Sequence, residues 1–182
     1  IIKKEKPDYL AVVFDPAGGS FRHREYADYK AQRDATPEGI LWAFPQVKRL
    51  LEALRIPAIE VPDYEADDVV GTLSQRAEKE GFEVYMVTAD KDYGQLVTEH
   101  SLMYRPGTKG AEVWGEAEVC EKFGLVHCSQ MVDYLALVGD TSDNIPGCKG
   151  IGPKKASELL TQFGSIDAIY EHLDELSPSL KK

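Results

Sequence analysis

Cysteine is scarce in this chain. Its 182 residues hold three, at positions 120, 128 and 148, unevenly spaced and without a C-x-x-C pair. A disulfide framework or a structural zinc is therefore not expected, and a reducing cytoplasm fits. His127 stands beside Cys128, but no second pair completes a tetrahedral set. Long apolar runs are missing as well, since nothing approaches the ~20 residues that span a bilayer. The opening "IIKKEKPDY" has no apolar h-region, so it is not a signal peptide and reads as the tail of a helix cut from something longer. Internal repeats, low-complexity stretches and long linkers are absent. Positive charge is in deficit, with 21 Lys and Arg against 31 Asp and Glu and a net charge of -10. Taken globally, that deficit argues against a nucleic-acid binder. It misleads, because acids and bases are each concentrated locally.

What is present is ordinary in amount: 43% apolar and 29% charged residues, in a length that suits one moderate domain with a real core. "YLAVVFD" (9–15), "PAIEVP" (57–62) and "EVYMVTAD" (83–90) read as strands of a parallel sheet, the first buried on both faces. Between them, Ile40, Phe44, Val47, Leu51 and Leu54 recur at helical spacing behind a Thr36-Pro37 start, with Pro45 expected to kink the helix or delay it. Val69, Val70, Leu73 and Ala77 make a second helical face, closed by Gly81. The alternation predicts a doubly wound, mostly parallel α/β sheet over 1–114. From about 115 to 182 the pattern becomes helical, over roughly 116–123, 129–138, 153–163 and 165–173.

The acids gather at strand ends. "VPDYEADDVVGTL" (61–73) holds four carboxylates between Asp63 and Asp68 with no Lys or Arg among them. Asp15 ends one strand, Asp90 and Asp92 end another, and Glu65, Asp67 and Asp68 follow a third. In an open parallel sheet such ends share one edge, where ligands bind. "GDTSDN" adds Asp140 and Asp143. Eight carboxylates without matching bases need cations, and oxygen ligands at this density suit Mg²⁺ or Mn²⁺. Two such ions ~4 Å apart form the clamp used in phosphodiester hydrolysis.

The bases gather elsewhere. "SFRHREYADYKAQR" (20–33) carries Arg22, Arg24, Lys30 and Arg33 with Phe21, Tyr26 and Tyr29 interleaved, and predicts a helix with Lys30 and Arg33 on one face. Cations for phosphates beside rings for bases suit a single strand of nucleic acid. In "GDTSDNIPGCKGIGPKKASELL" (139–160), Gly150 and Gly152 precede a helix with Pro153 at its first position, and Lys154 and Lys155 add charge to a phosphate-binding N-terminus.

"VVFD", "SFRH", "DYKAQR", "YEADDVVGTL", "TADKDYGQLV" and "GDTSDNIPGCKGIGPKKA" occur in an order that resembles the 5′-nuclease domain of bacterial DNA polymerase I, in the flap endonuclease superfamily. The resemblance covers the whole chain. It implies an α/β nuclease core with a helical arch over about 20–36, and a helix–three-turn–helix element in the helical part that holds duplex DNA. It implies two divalent ions on Asp15, Glu65, Asp67, Asp68, Asp90, Asp92, Asp140 and Asp143, some through water. Lys30 and Arg33 match arch residues at the scissile phosphate, and Tyr29 matches a stacking residue. Gly147 to Lys155 match the duplex-binding turns, where a K⁺ ion is held on carbonyls.

The implied substrates are DNA with a 5′ flap or nick and RNA primer–DNA hybrids. The implied setting is replication and repair in the bacterial cytoplasm, at the nucleoid, with a polymerase domain in the same full-length chain and no membrane. The family also has an earlier strand bearing a metal-binding aspartate, which would precede Ile1, so these 182 residues by themselves are expected to be inactive. Two other readings stay open. A non-catalytic duplex-binding module explains 139–160 but not the strand-end acids. A phosphatase with Asp15 as nucleophile usually has a second Asp two residues on, where Ala17 stands here.

Overall fold

The computed structural model describes residues 1–108, 110–177 and 180, so the end of the expected 115–182 subdomain lies partly outside the described residues. The chain forms two compact units, 1–70 and 71–182, and the expected change of pattern near 115 falls inside the second.

The first unit begins with a short helix, α1 (Ile2–Glu5), followed by β1 (Val12–Phe14), α2 (Phe21–Glu25), α3 (Glu38–Ala53) and β2 (Ala58–Glu60). β1 and β2 pair in parallel, with Val13 opposite Ile59, and α3 supplies the crossover such a pair requires. The expected double-sided burial of β1 is not found: Val12, Val13 and Phe14 are half-buried. Its sheet has two strands, so each is an edge. α3 starts one residue later than the sequence suggests, with Pro37 at the capping position, and runs through Pro45 to Ala53. Phe14 meets Phe44 edge-on at 6.2 Å, and Leu51 is buried. The rest of the apolar face, at Ile40, Val47 and Leu54, stays exposed.

The boundary between the units falls within α4 (Ala66–Lys79). In the second unit, β3 (Val84–Val87) pairs in parallel with β4 (Ser101–Arg105), and β5 (Glu112–Trp114) adds an antiparallel edge. The sequence reading passed over β4 and β5. Helices follow as expected: α5 (Glu116–Phe123), α6 (Met131–Val138), α7 (Pro153–Phe163) and α8 (Ile166–Glu171), with β6 (Gly139–Asp140) and β7 (Ile145–Pro146) as a two-residue ladder between α6 and α7. Val119, Met131, Leu160 and Met103 are fully buried and form the centre of this unit. Buried Gln130 donates its amide to the carbonyls of Leu160 and Gly164, both at 2.9 Å, which satisfies the end of α7.

The α6–β6–β7 corner brings backbone against backbone. A Cβ on Gly147 would lie 2.3 Å from the carbonyl carbon of Val138, and Cys148 N–H donates to Leu137 O at 2.8 Å. Gly147→Ala should therefore lower unfolding free energy by about 1–3 kcal/mol, the usual cost of overpacking. Urea denaturation measures it, and parental stability would mean that the corner yields freely.

Candidate functional site

In the first unit the acids surround the start of α4. Asp15, directly after β1, accepts the N–H of Ala66 at 2.7 Å, capping α4 from another strand. Asp68 reaches back to the N–H of Glu65 at 3.0 Å. Glu65 turns its own carboxylate inward. Only 7% of it is exposed, and it accepts from Ser20 Oγ, Tyr29 Oη and Lys30 Nζ, each at 2.9 Å. Arg22 holds Asp68 with two bonds of 2.7 Å, and Arg24 holds Asp63 at 2.5 and 2.8 Å.

This corrects the expectation of acids without matching bases. The partners come from 35 to 46 residues away in sequence, in the segment that read as a separate basic patch. Burial pushes the Glu65 carboxyl up, but hydrogen bonds from Lys30, Tyr29 and Ser20 outweigh it and leave it below the usual range. The Arg22 hydrogen bonds hold Asp68 low in the same way.

The expected helix through Lys30 and Arg33 is also corrected. α2 ends at Glu25, turns follow, and Lys30 has φ 55, a left-handed conformation that breaks a helix. The two cations nevertheless meet, lining a cleft of ≈ 120 Å³ with Asp15, Glu65, Ser20 and His23. His23 accepts the N–H of Ser20 and sets its ring edge-on to Tyr29 at 5.1 Å. Tyr29, the sequence's stacking residue, is 5% exposed, with its hydroxyl on Glu65. Ser20 and His23 were missed. The capping pattern of Ser20 three residues before His23 was the available signal.

In the second unit Asp90 caps a 3-10 turn (Lys91–Leu96), accepting the N–H of Asp92 at 3.0 Å. Lys91, also missed, bonds both Asp92, at 3.0 Å, and Asp140. Asp140 further accepts the N–H and hydroxyl of Ser142 at 2.7 and 2.6 Å and the N–H of Asp143 at 3.2 Å. Burial opposes its ionisation, but Lys91 and Ser142 bring its pKa down to about 2. Asp92 goes the other way: burial, with the charges of Asp90 and Asp140, pushes it up despite Lys91. Three carboxylates share one ammonium, and this donor set fits a hard divalent cation. Asp67 lies in the first turn of α4.

The glycine turn has its expected form. Gly150 has φ 83, Gly152 caps α7, and Pro153 takes its first position. Lys154 and Lys155 follow in the first turn, with Lys155 Nζ 3.9 Å from Glu158. Backbone N–H groups without helical acceptors and two ammonium groups suit a phosphate.

Residues 1–124 match the family model "5'-3' exonuclease, N-terminal resolvase-like domain", and 126–182 match "5'-3' exonuclease, C-terminal SAM fold". The chain is 46% identical over 180 residues to the thermostable DNA polymerase I of Thermus thermophilus, covering 98% of this chain and 21% of that protein. It is 42% identical over 185 residues to the 5'-3' exonuclease of Aquifex aeolicus, covering 100% of this chain and 63% of that one. It therefore spans about a fifth of that polymerase and under two thirds of the exonuclease. Among solved structures, T5 5'-exonuclease with bound zinc matches at TM-score 0.80 and 23% identity, over 97% of this chain and 68% of that one. A T5 D15 flap endonuclease complex with DNA and metal ions matches at 0.79 and 22%, over the same shares.

Lys91→Met should destabilise the chain by about 1–3 kcal/mol, because it strips charged hydrogen bonds from Asp92 and Asp140. Mn²⁺ should then raise the melting temperature of the variant more than that of the parent. A variant that Mn²⁺ does not stabilise would show that these carboxylates are no cation site.

Proposed function

This chain belongs to the 5'-3' exonuclease family, and we propose that it serves the hydrolysis of phosphodiesters at 5′ ends of DNA. The observation that carries this reading is the cleft of the first unit, where Asp15 and Glu65 face Lys30 and Arg33. Acids and bases in one cleft suit a substrate that is itself anionic and bound with divalent cations. The residues that would hold two such ions, Mg²⁺ or Mn²⁺, are Asp15, Glu65, Asp67 and Asp68 in the first unit and Asp90, Asp92, Asp140 and Asp143 in the second. Bound ions of this kind supply a hydroxide nucleophile and a Lewis acid for the phosphoryl oxygens.

The chain's own residues do the rest. Lys30 and Arg33 neutralise charge developing on the scissile phosphate. Arg22 and Arg24 guide the 5′ strand. Tyr29 orients Glu65 through its hydroxyl, and its ring stacks on a base only once it leaves its buried position. The turn from Gly147 to Lys155 grips the duplex through phosphates, without reading sequence. The substrates proposed are DNA with a 5′ flap or nick and primer RNA on DNA, in bacterial replication and repair, within a longer chain that carries a polymerase. Among the described residues no helix is long and apolar enough to cross a membrane, in keeping with a cytoplasmic setting.

The test is cleavage of a 5′-labelled flap duplex with Mg²⁺, by this chain and by the chain joined to the N-terminal segment of the Aquifex aeolicus exonuclease. Cleavage by the joined protein, abolished by chelation, supports the reading. Binding without cleavage in both would make the chain a duplex-binding module instead. In the active form, Lys30→Ala or Arg33→Ala should lower the single-turnover rate about 10²–10³-fold, as loss of one transition-state donor does, with little change in affinity.

A further inference from the structure

The second unit carries another set of ligand atoms, outside the carboxylate site. Glu116 and Cys120 are four residues apart on α5 and share one face of it. Cys128 opens a 3-10 turn (Cys128–Gln130) against that face, donating its N–H to Glu116 Oε1 at 3.2 Å. One carboxylate oxygen of Glu116 and the sulfurs of Cys120 and Cys128 all lie within 4.8 Å of one another. His127 places Nδ1 3.6 Å from Glu116 Oε1. In the sequence, the His127–Cys128 pair lacked a second pair. The fold supplies it from α5.

We propose that Glu116, Cys120 and Cys128 bind a Zn²⁺ ion, with His127 turning in as the fourth ligand. The donor chemistry selects the metal. Two sulfurs favour a soft or borderline ion over Mg²⁺, and one carboxylate with one imidazole completes a four-ligand set for zinc. Bond lengths of ~2.0–2.3 Å put the ligand atoms of a zinc tetrahedron roughly 3.3–3.8 Å apart, so the cluster has about 1 Å to contract. Side-chain rotation accommodates that. Cys128 is buried and Cys120 half-buried, while Glu116 and His127 are exposed, so the ion reaches the sulfurs from the solvent side. Binding sends the proton of each thiol to solvent and ties α5 to the turn that begins α6. The ion would stiffen the helical part without taking part in the carboxylate chemistry.

Co²⁺ tests this as a coloured substitute for Zn²⁺, added to the reduced chain with Mg²⁺ in large excess. One equivalent should give a sulfur-to-metal charge-transfer band and the intense visible bands of a tetrahedral site, both erased by one equivalent of Zn²⁺. Cys120→Ser and Cys128→Ser should each abolish the sulfur band, and Cys148→Ser should leave it intact. Glu116→Gln, at an exposed position, should weaken Co²⁺ at least ~10-fold while circular dichroism stays parental. Absence of the sulfur band in the parent, or its survival in Cys120→Ser, would overturn the proposal.

Discussion

Carboxylates crowded into one segment cannot all ionise in a folded chain unless cations stand among them, and each unit is arranged around that requirement. In the first, the start of α4 draws Arg22, Arg24 and Lys30 onto Asp68, Asp63 and Glu65. These contacts fix the path of the chain from α2 through the turns to residue 33. They explain why a segment with little helical structure packs closely enough to bury Tyr29. In the second, Lys91 joins Asp92 after β3 to Asp140 after α6, tying the sheet of that unit to its helices.

The neutralisation is incomplete, and that gives the acids their chemical use. Asp140 is held low, at about 2, while its neighbour Asp92 is pushed up. One ammonium does not satisfy both, and their different environments separate them. Glu65 is satisfied only while Lys30 stays with it. In the proposed reading, divalent ions take over these carboxylates, and Lys30 and Lys91 become available to phosphate oxygens. Protein cations and metal ions would then be alternative partners of the same acids, which links substrate recognition to metal loading.

The regular elements were legible because their signals are local. The apolar runs at 9–15, 57–62 and 83–90 contain β1, β2 and β3, and the helical spacings after 115 gave α5 and α7 at their observed bounds. β4 and β5 escaped because "SLMYR" and "EVW" are too short and mixed to stand out. The helix expected at 26–33 failed because tertiary ion pairing overrides its weak propensity and holds Lys30 at φ 55. The acids of the site could be named from strand ends, but their partners could not. Nothing local pairs Arg22 with Asp68 or Lys30 with Glu65. The same holds for Glu116 and Cys120, whose relation to Cys128 exists only once α5 and the following turn are folded.

The claim on which this account rests is that the chain's own ammonium groups and divalent ions compete for the same carboxylates. Side-chain nitrogen NMR of lysine, followed through a Mg²⁺ titration, tests it most directly. Lys30 and Lys91 should begin with the protected ammonium signals of paired groups and lose that protection together, at the midpoint of Mg²⁺ binding. Signals that stay unchanged while Mg²⁺ binds would contradict it, by placing the metal on other ligands.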